Sequence, residues 1–143
     1  MATRFYLQSS GTAPVTPGYD AGWEDTSIAA RLNATTYKES TAMTTVSFAD
    51  ATNTLKDILF RQYITPPIVA QTIAAQTLKF QIRGAERIAG NNMFTAIGAR
   101  VVSNDGTTVV GTLLAVTRDG LEVDASATLE NRLFSATTTQ VIA

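Results

Sequence analysis

The sequence predicts an all-β protein, an antiparallel β-sandwich of the jelly-roll type with an extended N-terminal arm. Three observations support this prediction. Apolar and polar residues alternate with a period of two in several short segments, as in strands with one buried face. Turn-forming residues separate these segments at short intervals, and no helical segment is needed between them, which is typical of sandwiches. Threonine, the commonest residue in the sequence, also favours strands.

The N-terminal region, residues 1–22, is predicted to be a strand followed by an extended arm. The segment over 3–10 has the composition of a strand. Pro14 and Pro17 then fix the backbone and remove two hydrogen-bond donors, which favours an arm or loop over a sheet element. The rest of the chain, residues 23–143, is predicted to form a single sandwich domain.

Trp23, the only tryptophan in the sequence, follows directly after this arm. It has two interpretations. It is either a core residue or an anchor that docks the arm on a neighbouring subunit, because tryptophan is enriched at the energetic centres of interfaces. On the second interpretation, Trp23, Pro14 and Pro17 are candidate interface residues.

Alternation also identifies the elements in the middle of the chain. TTVSFAD over 44–50 predicts a strand with one buried face. Residues 53–65 fit either a helical or a strand face, and the surrounding turns favour a strand that ends at the proline pair 66–67. Residues 68–76 fit a short strand or a helical turn. QTLKFQIRG over 76–84 has the clearest alternation, with Leu, Phe and Ile on one face and polar residues on the other.

Two Asp-Gly pairs bracket the most apolar strand in the C-terminal half. Asp105 and Gly106 lie between two apolar runs, the strongest short-range signal of a β-hairpin. Asp119 and Gly120 are predicted to turn the next corner. Residues 121–136 then return as a further strand.

The stretch between these two turns is apolar on both faces. With strict alternation its six apolar residues divide into Val109, Leu113 and Ala115 on one face, and Val110, Leu114 and Val116 on the other. Each sheet of a sandwich buries only one of its faces. At about 25 cal/mol per Å², leaving the second face in water costs several kcal/mol. We expect a neighbouring subunit, or else the N-terminal arm, to cover it, and the candidate interface residues are Val110, Leu114 and Val116.

The sequence contains no cysteine and no histidine. Disulfides, thiolate nucleophiles and Ser–His pairs are therefore excluded, and no nucleotide-binding or hydrolase motif is present. We predict no enzyme activity, no catalytic residue, no cofactor and no metal site. The net charge of −1 and the charged fraction of 16% predict no nucleic-acid partner. No apolar run is long enough for a membrane span, so we predict no membrane partner either.

Several stretches of the sequence resemble small structural proteins encoded by tailed phages. They are RFYLQSSGTAPVTPGYDAGWEDTS near the N-terminus, STAMTTVSFADAT with DILFRQYIT in the middle, and NNMFTAIGARVVSNDGTTVVGTLLA further on. The resemblance implies a β-sandwich that serves in the particle as a capsid decoration (cement) protein, a fibre or a tail component. Similar chains often continue into another strand with a GDR motif, whereas this sequence ends at Ala143. The resemblance therefore implies either a shorter sandwich or an edge strand supplied by a neighbour.

The leading hypothesis is a non-enzymatic structural protein of a bacteriophage particle, a capsid decoration protein that stabilises the shell through subunit contacts. Its expected partners are further copies of itself, in a trimer or other homo-oligomer, and the major capsid protein or other virion proteins. Because the N-terminus lacks the features of a signal peptide, we expect synthesis in the host cytoplasm and location in the virion. The alternatives are a tail, neck or fibre component, or an adhesion module whose residues Tyr19, Trp23 and Tyr37 stack on a host glycan.

Overall fold

A computed structural model describes residues 3–20, 22–39, 44–50, 52, 54–88, 90–123, 129–135 and 139–142, with 129–135 described by its backbone alone. Within these ranges the chain forms strands and no helix, which confirms the all-β prediction. The strands are β1 (Tyr6–Thr12), β2 (Ala30–Thr35), β3 (Arg61–Ile64), β4 (Gln71–Ile73), β5 (Thr77–Arg83), β6 (Phe94–Val102), β7 (Val109–Glu122), β8 (Leu129–Ser135) and β9 (Gln140–Ile142). Accordingly, this described part of the chain has no helix with the length and apolarity that a membrane span requires.

The chain divides into two compact units. The first unit comprises Met1–Ile68 together with Asn104–Thr108, and the second unit comprises Val69–Ser103 together with Val109–Ala143. The division into an arm and a sandwich domain after residue 22 stays a prediction.

A three-stranded mixed sheet in the order β1-β2-β3 forms the centre of the first unit. β1 runs antiparallel to β2, with Tyr6 opposite Thr35, and its register shifts before Thr12 pairs with Leu32. β2 runs parallel to β3, so the predicted antiparallel arrangement is wrong for this pair. The physical reason is the long connection over residues 36–60, since a parallel pair needs a crossover of about a dozen residues or more.

The strand predicted over 53–65 is confirmed only in part. An isolated parallel bridge joins Asp25 to Ile58, and the Leu59 N–H donates to the Asp25 carbonyl oxygen at 3.0 Å. The continuous strand β3 begins two residues later, at Arg61.

The segment 44–50, predicted to be a strand, is irregular. Its side chains nevertheless alternate as the sequence predicts, because Val46 and Phe48 are half-buried while Thr45 and Ser47 are exposed. A strand also needs partners for its backbone N–H and C=O groups. Local alternation identifies the buried face but does not supply such a partner.

The described strands of the second unit form three antiparallel two-stranded ladders, β4 with β9, β5 with β8 and β6 with β7. β5 confirms the clearest alternation in the sequence, because Leu78, Phe80 and Ile82 are half-buried and the residues between them are exposed. The ladder of β5 and β8 runs along both strands without a register shift.

β6 and β7 form the hairpin that Asp105 and Gly106 predict. Gly106 has a φ of +76°, a conformation that glycine adopts without steric cost. Asp105 Oδ1 accepts hydrogen bonds from the N–H of Thr107 at 3.0 Å and from its hydroxyl at 2.9 Å. A Cβ on Gly106 would lie 3.0 Å from the Cβ of Val15. Both the backbone and the packing of this turn therefore require glycine.

Bulges in β7 change which side chains share a face. β7 has 14 residues and its partner β6 has 9, and the register between them shifts at four places. Each extra residue moves the side chains that follow it to the opposite face. Leu114 is only 3% exposed, whereas Val110 and Val116 are 53% and 39% exposed. The prediction that these three residues form one continuous apolar face is therefore wrong.

The second predicted turn, at Asp119 and Gly120, is also wrong. Both residues lie inside β7, which continues to Glu122, and a register shift of the β6–β7 ladder falls at this point. Asp119 Oδ1 accepts a hydrogen bond from the Leu121 N–H at 3.1 Å, a local contact that aspartate also makes in turns. Here the Asp-Gly pair accompanies a bulge within a strand instead of a corner.

Each unit buries a small apolar core among its described residues. The buried apolar residues are Ala13, Ala34 and Ile64 in the first unit, and Val101, Leu114 and Val123 in the second. Val123 is fully buried, and its N–H donates to the Met93 carbonyl oxygen at 2.8 Å. A Cβ on Gly84 would lie 3.4 Å from the Val123 side chain, so the small residue at 84 allows close packing there.

Candidate binding groove

A groove lies at one end of the three-stranded sheet of the first unit. The pairing of Tyr6 with Thr35 places the start of β1 beside the end of β2. The parallel pairing of Asn33 with Ile64 places the end of β3 at the same end of the sheet. The segments that enter or leave these strands therefore converge there and form the walls of the groove.

The groove has a volume of about 280 Å³ and, among the described residues, no charged side chain in its lining. It is lined by Phe5, Asn33, Thr35, Thr36, Tyr37, Pro66, Pro67 and Ile68. The two aromatic rings are partly open to solvent, with Phe5 41% and Tyr37 66% exposed. The groove is thus an uncharged site with aromatic and proline walls, the composition expected where a ligand packs against ring faces.

The polar groups at the floor of the groove differ in how well they are paired. The hydroxyl of Thr35 accepts a hydrogen bond from Gln8 Nε2 at 2.8 Å and donates one to the Tyr37 carbonyl oxygen at 2.6 Å. These bonds hold the backbone of Tyr37 in place. Asn33 Oδ1 is buried, and it has no hydrogen-bond partner in the described part of the chain. The floor therefore contains one buried acceptor for which the described residues supply no partner.

Two carboxylates of the first unit make local contacts that lower their pKa values. Hydrogen bonds from the N–H and hydroxyl of Thr52, with the ammonium of Lys56 at 3.0 Å, lower the pKa of Asp50 from 3.8 to about 2. A hydrogen bond from the Ser27 N–H lowers the pKa of Asp25. Carboxylates with lowered pKa values are acceptors at neutral pH and poor general acids. Among the described residues, no cluster of three or more acidic side chains is arranged to hold a metal ion.

The predicted N-terminal arm packs on its own chain within the first unit. Arg31 Nε donates a hydrogen bond to the Pro17 carbonyl oxygen at 2.9 Å, and its guanidinium lies 3.9 Å from the centre of the Tyr19 ring. Pro17 is buried, whereas Pro14 is exposed. Most of the segment after β1 is thus ordered by residues of β2 and its neighbours. The interface role of Pro14 and Pro17 stays a prediction.

Trp23 lies outside the groove and is half-buried. The next residue, Glu24, is fixed to the first unit, because its N–H donates to the Asp57 carbonyl oxygen and its carboxylate accepts from the Asp57 N–H, both at 2.8 Å. The two interpretations of Trp23, core residue and intersubunit anchor, both stay open. Of the three aromatic residues considered for a glycan site, Tyr37 alone lines the groove.

The remaining candidate interface residues, Val110, Leu114 and Val116, lie on β7 of the second unit. Burial separates them, since the side chain of Leu114 is inaccessible while the two valines are exposed. The interface prediction is therefore kept for Val110 and Val116.

Sequence reasoning identified Tyr37 as a candidate ligand contact but missed the groove. Phe5, Tyr37 and the proline pair 66–67 lie far apart in the sequence. The pairing of β1 with β2 brings Phe5 to Tyr37, and the parallel pairing of β2 with β3 adds the prolines. The signal in the sequence is that an aromatic residue lies just before β1 and two prolines lie just after β3, because these positions place them at the same end of the sheet. Comparison with known proteins finds no matching family model, no matching curated protein and no matching solved structure.

Proposed function

We propose that this chain is a non-enzymatic structural protein of a bacteriophage particle. In this proposal it acts as a capsid decoration (cement) protein, located in the virion, that binds further copies of itself and the major capsid protein. The homo-oligomer is a trimer or another closed ring, as most homo-oligomers have closed symmetry. The sandwich arrangement of the sheets belongs to the same proposal. Its support is the sequence resemblance together with the surface of the second unit.

The observation that carries the proposal is a set of exposed apolar side chains on strands of the second unit. Their exposed fractions lie between 39% and 69%, and the residues are Val109, Val110, Val116, Leu121 and Val141. Burying a valine or leucine side chain is worth about 1.5–3 kcal/mol. Covering several of them with another subunit therefore provides a substantial driving force for association.

The small ladders of the second unit support the same proposal. In the described residues each ladder has two strands, and an isolated two-stranded sheet is at best marginally stable in water. The outer edges of such ladders also carry backbone groups that can pair with a neighbouring chain. Contact with other subunits would both cover the apolar side chains and stabilise the ladders.

A glycan-binding adhesion module is the second candidate function, and the groove of the first unit favours it. A tail, neck or fibre component remains the alternative location within the same structural class. These alternatives differ from a decoration protein in abundance, because a shell component is present in numbers comparable with those of the major capsid protein.

The proposal is tested by quantitative mass spectrometry of purified virions from a phage that encodes this chain. A copy number equal to that of the major capsid protein, or a simple fraction of it, supports a decoration protein. A far lower copy number places the chain in the tail, neck or fibre instead. Absence of the chain from the particles contradicts the proposal.

A further inference from the structure

We propose that the groove of the first unit binds one ring of a neutral sugar. The ring faces of Tyr37 and Phe5 pack against the C–H face of the sugar, and Asn33 accepts a hydrogen bond from one of its hydroxyl groups. This inference deepens the glycan-binding alternative. It does not depend on subunit association, because every residue that lines the groove belongs to the first unit.

The amide of Asn33 indicates what the ligand must provide. Its Oδ1 atom is buried without a partner in the described part of the chain, and a buried acceptor without a donor costs about 1–3 kcal/mol. Asn33 lines the groove, and the terminal torsion of asparagine is broad, so rotation about it can bring the oxygen to a ligand. A ligand with hydrogen-bond donors would then remove the cost.

The aromatic walls of the groove further restrict the class of ligand that fits. The face of an aromatic ring carries partial negative charge and attracts polarised C–H groups. A pyranose has such C–H groups on one face and hydroxyl donors around its edge. A proline-rich peptide also packs against aromatic rings, but its proline residues have no N–H. It is therefore a poorer donor to Asn33 than a sugar.

The uncharged lining and the small volume of the groove favour a single neutral sugar ring as the ligand. None of the described residues that line the groove is charged, so an acidic sugar would lose its hydration without gaining an ionic partner from them. The volume of about 280 Å³ lies just below the usual range for small-molecule sites, which begins at about 300 Å³. We therefore expect contact with one sugar residue, with the rest of a glycan extending into solvent.

Binding of the full 143-residue chain to an array of neutral and acidic oligosaccharides tests this proposal, followed by titration of the best ligand. We expect a neutral ligand whose affinity falls about tenfold or more, equivalent to about 1.4 kcal/mol, in Tyr37→Ala. Tyr37→Phe keeps the ring face and should bind within about threefold of the wild type. Leu55→Ala, at a residue of the same unit that is 89% exposed and outside the groove, is the matched control and should bind normally.

Asn33→Ala provides a second test with a readout that separates binding from folding. The substitution should weaken binding of the neutral ligand by about tenfold without lowering the melting temperature, because it removes an acceptor that has no partner among the described residues. A large fall in melting temperature would show that Asn33 has a structural role and would contradict the proposal. No binding to any neutral glycan, equal binding by Tyr37→Ala, or tighter binding of acidic glycans or of a proline-rich peptide would also overturn it.

Discussion

The two units of this chain differ in their strand pairing and in where their apolar side chains are exposed. In the first unit, polar side chains connect segments that are far apart in the sequence. Gln8 bonds to the hydroxyl of Thr35 at 2.8 Å, and Arg31 bonds both to the Pro17 carbonyl oxygen at 2.9 Å and to the Gln62 side chain at 3.0 Å. These contacts join the arm and the three strands without a large apolar core.

The described strands of the second unit pair in three two-stranded backbone ladders. Long-range hydrogen bonds to side chains also join its described segments. Gln140 Nε2 donates to the Thr112 carbonyl oxygen at 3.2 Å, and the Ala75 N–H donates to the Thr139 hydroxyl, also at 3.2 Å. The strands of this unit also leave valine and leucine side chains exposed. Exposed apolar side chains occur in both units, but those of the first unit lie mostly outside its strands, whereas those of the second unit lie mostly on strands.

Truncation of Leu114 should have the largest effect on stability. It is buried on β7 of the second unit, and Leu→Ala at buried sites costs about 2–5 kcal/mol. Val110→Ala, at an exposed residue of the same strand, should change the free energy of unfolding of the dilute protein by less than about 0.5 kcal/mol. Denaturant unfolding of both variants measures the contrast. Equal costs would contradict the separation of β7 into buried and exposed apolar positions.

Gly106→Val tests the turn that belongs to the first unit. The positive φ and the close approach of Val15 should together cost about 1–3 kcal/mol. Gly120→Ala is the control, because Gly120 lies inside β7 without a positive φ and a Cβ there would meet nothing within 4 Å. Thermal unfolding should show a large fall for the first variant and almost none for the second. A fall for Gly120→Ala as large as that for Gly106→Val would mean that position 120, too, requires glycine.

Arg31→Met sharpens the claim that polar contacts order the first unit. It keeps the aliphatic stem of the side chain but removes the bonds to Pro17 and Gln62 and the stacking on Tyr19. We expect a loss of about 1.5 kcal/mol, since hydrogen bonds from charged groups are worth about 1.5–3 kcal/mol and this site is partly exposed. Hydrogen exchange should become faster over residues 13–20. Unchanged exchange there would contradict the role given to Arg31.

Protonation of Asp50 should have the smallest effect on stability. Its folded pKa of about 2 lies below its ordinary value of 3.8, so its contribution is present above pH 3.8 and is lost as the pH falls toward 2. Asp50→Asn should therefore melt slightly below the wild type at pH 7, and the two should converge near pH 2. A difference in melting temperature that persists unchanged at pH 2 would contradict this assignment.

Elements with local signals were predictable from the sequence. The alternation over 76–84 gave the correct buried face of β5, and the pair Asp105 and Gly106 gave the β6–β7 hairpin. In both cases the information lies within a few neighbouring residues, because side-chain period and turn geometry are local properties. The all-β class follows from several such segments.

Elements that depend on distant partners were not predictable in the same way. The parallel pairing of β2 with β3 joins segments separated by the long connection 36–60, and the groove exists only because of that pairing. The bulges of β7 likewise depend on its fit to the shorter β6. They moved Leu114 into a buried position and turned the pair Asp119 and Gly120 into part of a strand. Strict alternation contains no information about such extra residues.

The central proposal is that a neighbouring subunit covers the exposed apolar side chains of the second unit. It is tested most directly by sedimentation velocity of the wild type and of a Val110→Asp, Val116→Asp double variant. Each substitution places a charge on the exposed surface of the second unit. The charge should be harmless to folding, but it should prevent this surface from being buried against another copy of the chain. Leu55→Asp, at an exposed residue of the first unit, is the control. We expect the wild type and the control to sediment at micromolar concentration as a multiple of 15.2 kDa, and the double variant to sediment as a folded monomer. A wild type that is monomeric throughout the dilution series, or a double variant that assembles normally, would contradict the claim that the second unit is completed by a neighbouring subunit.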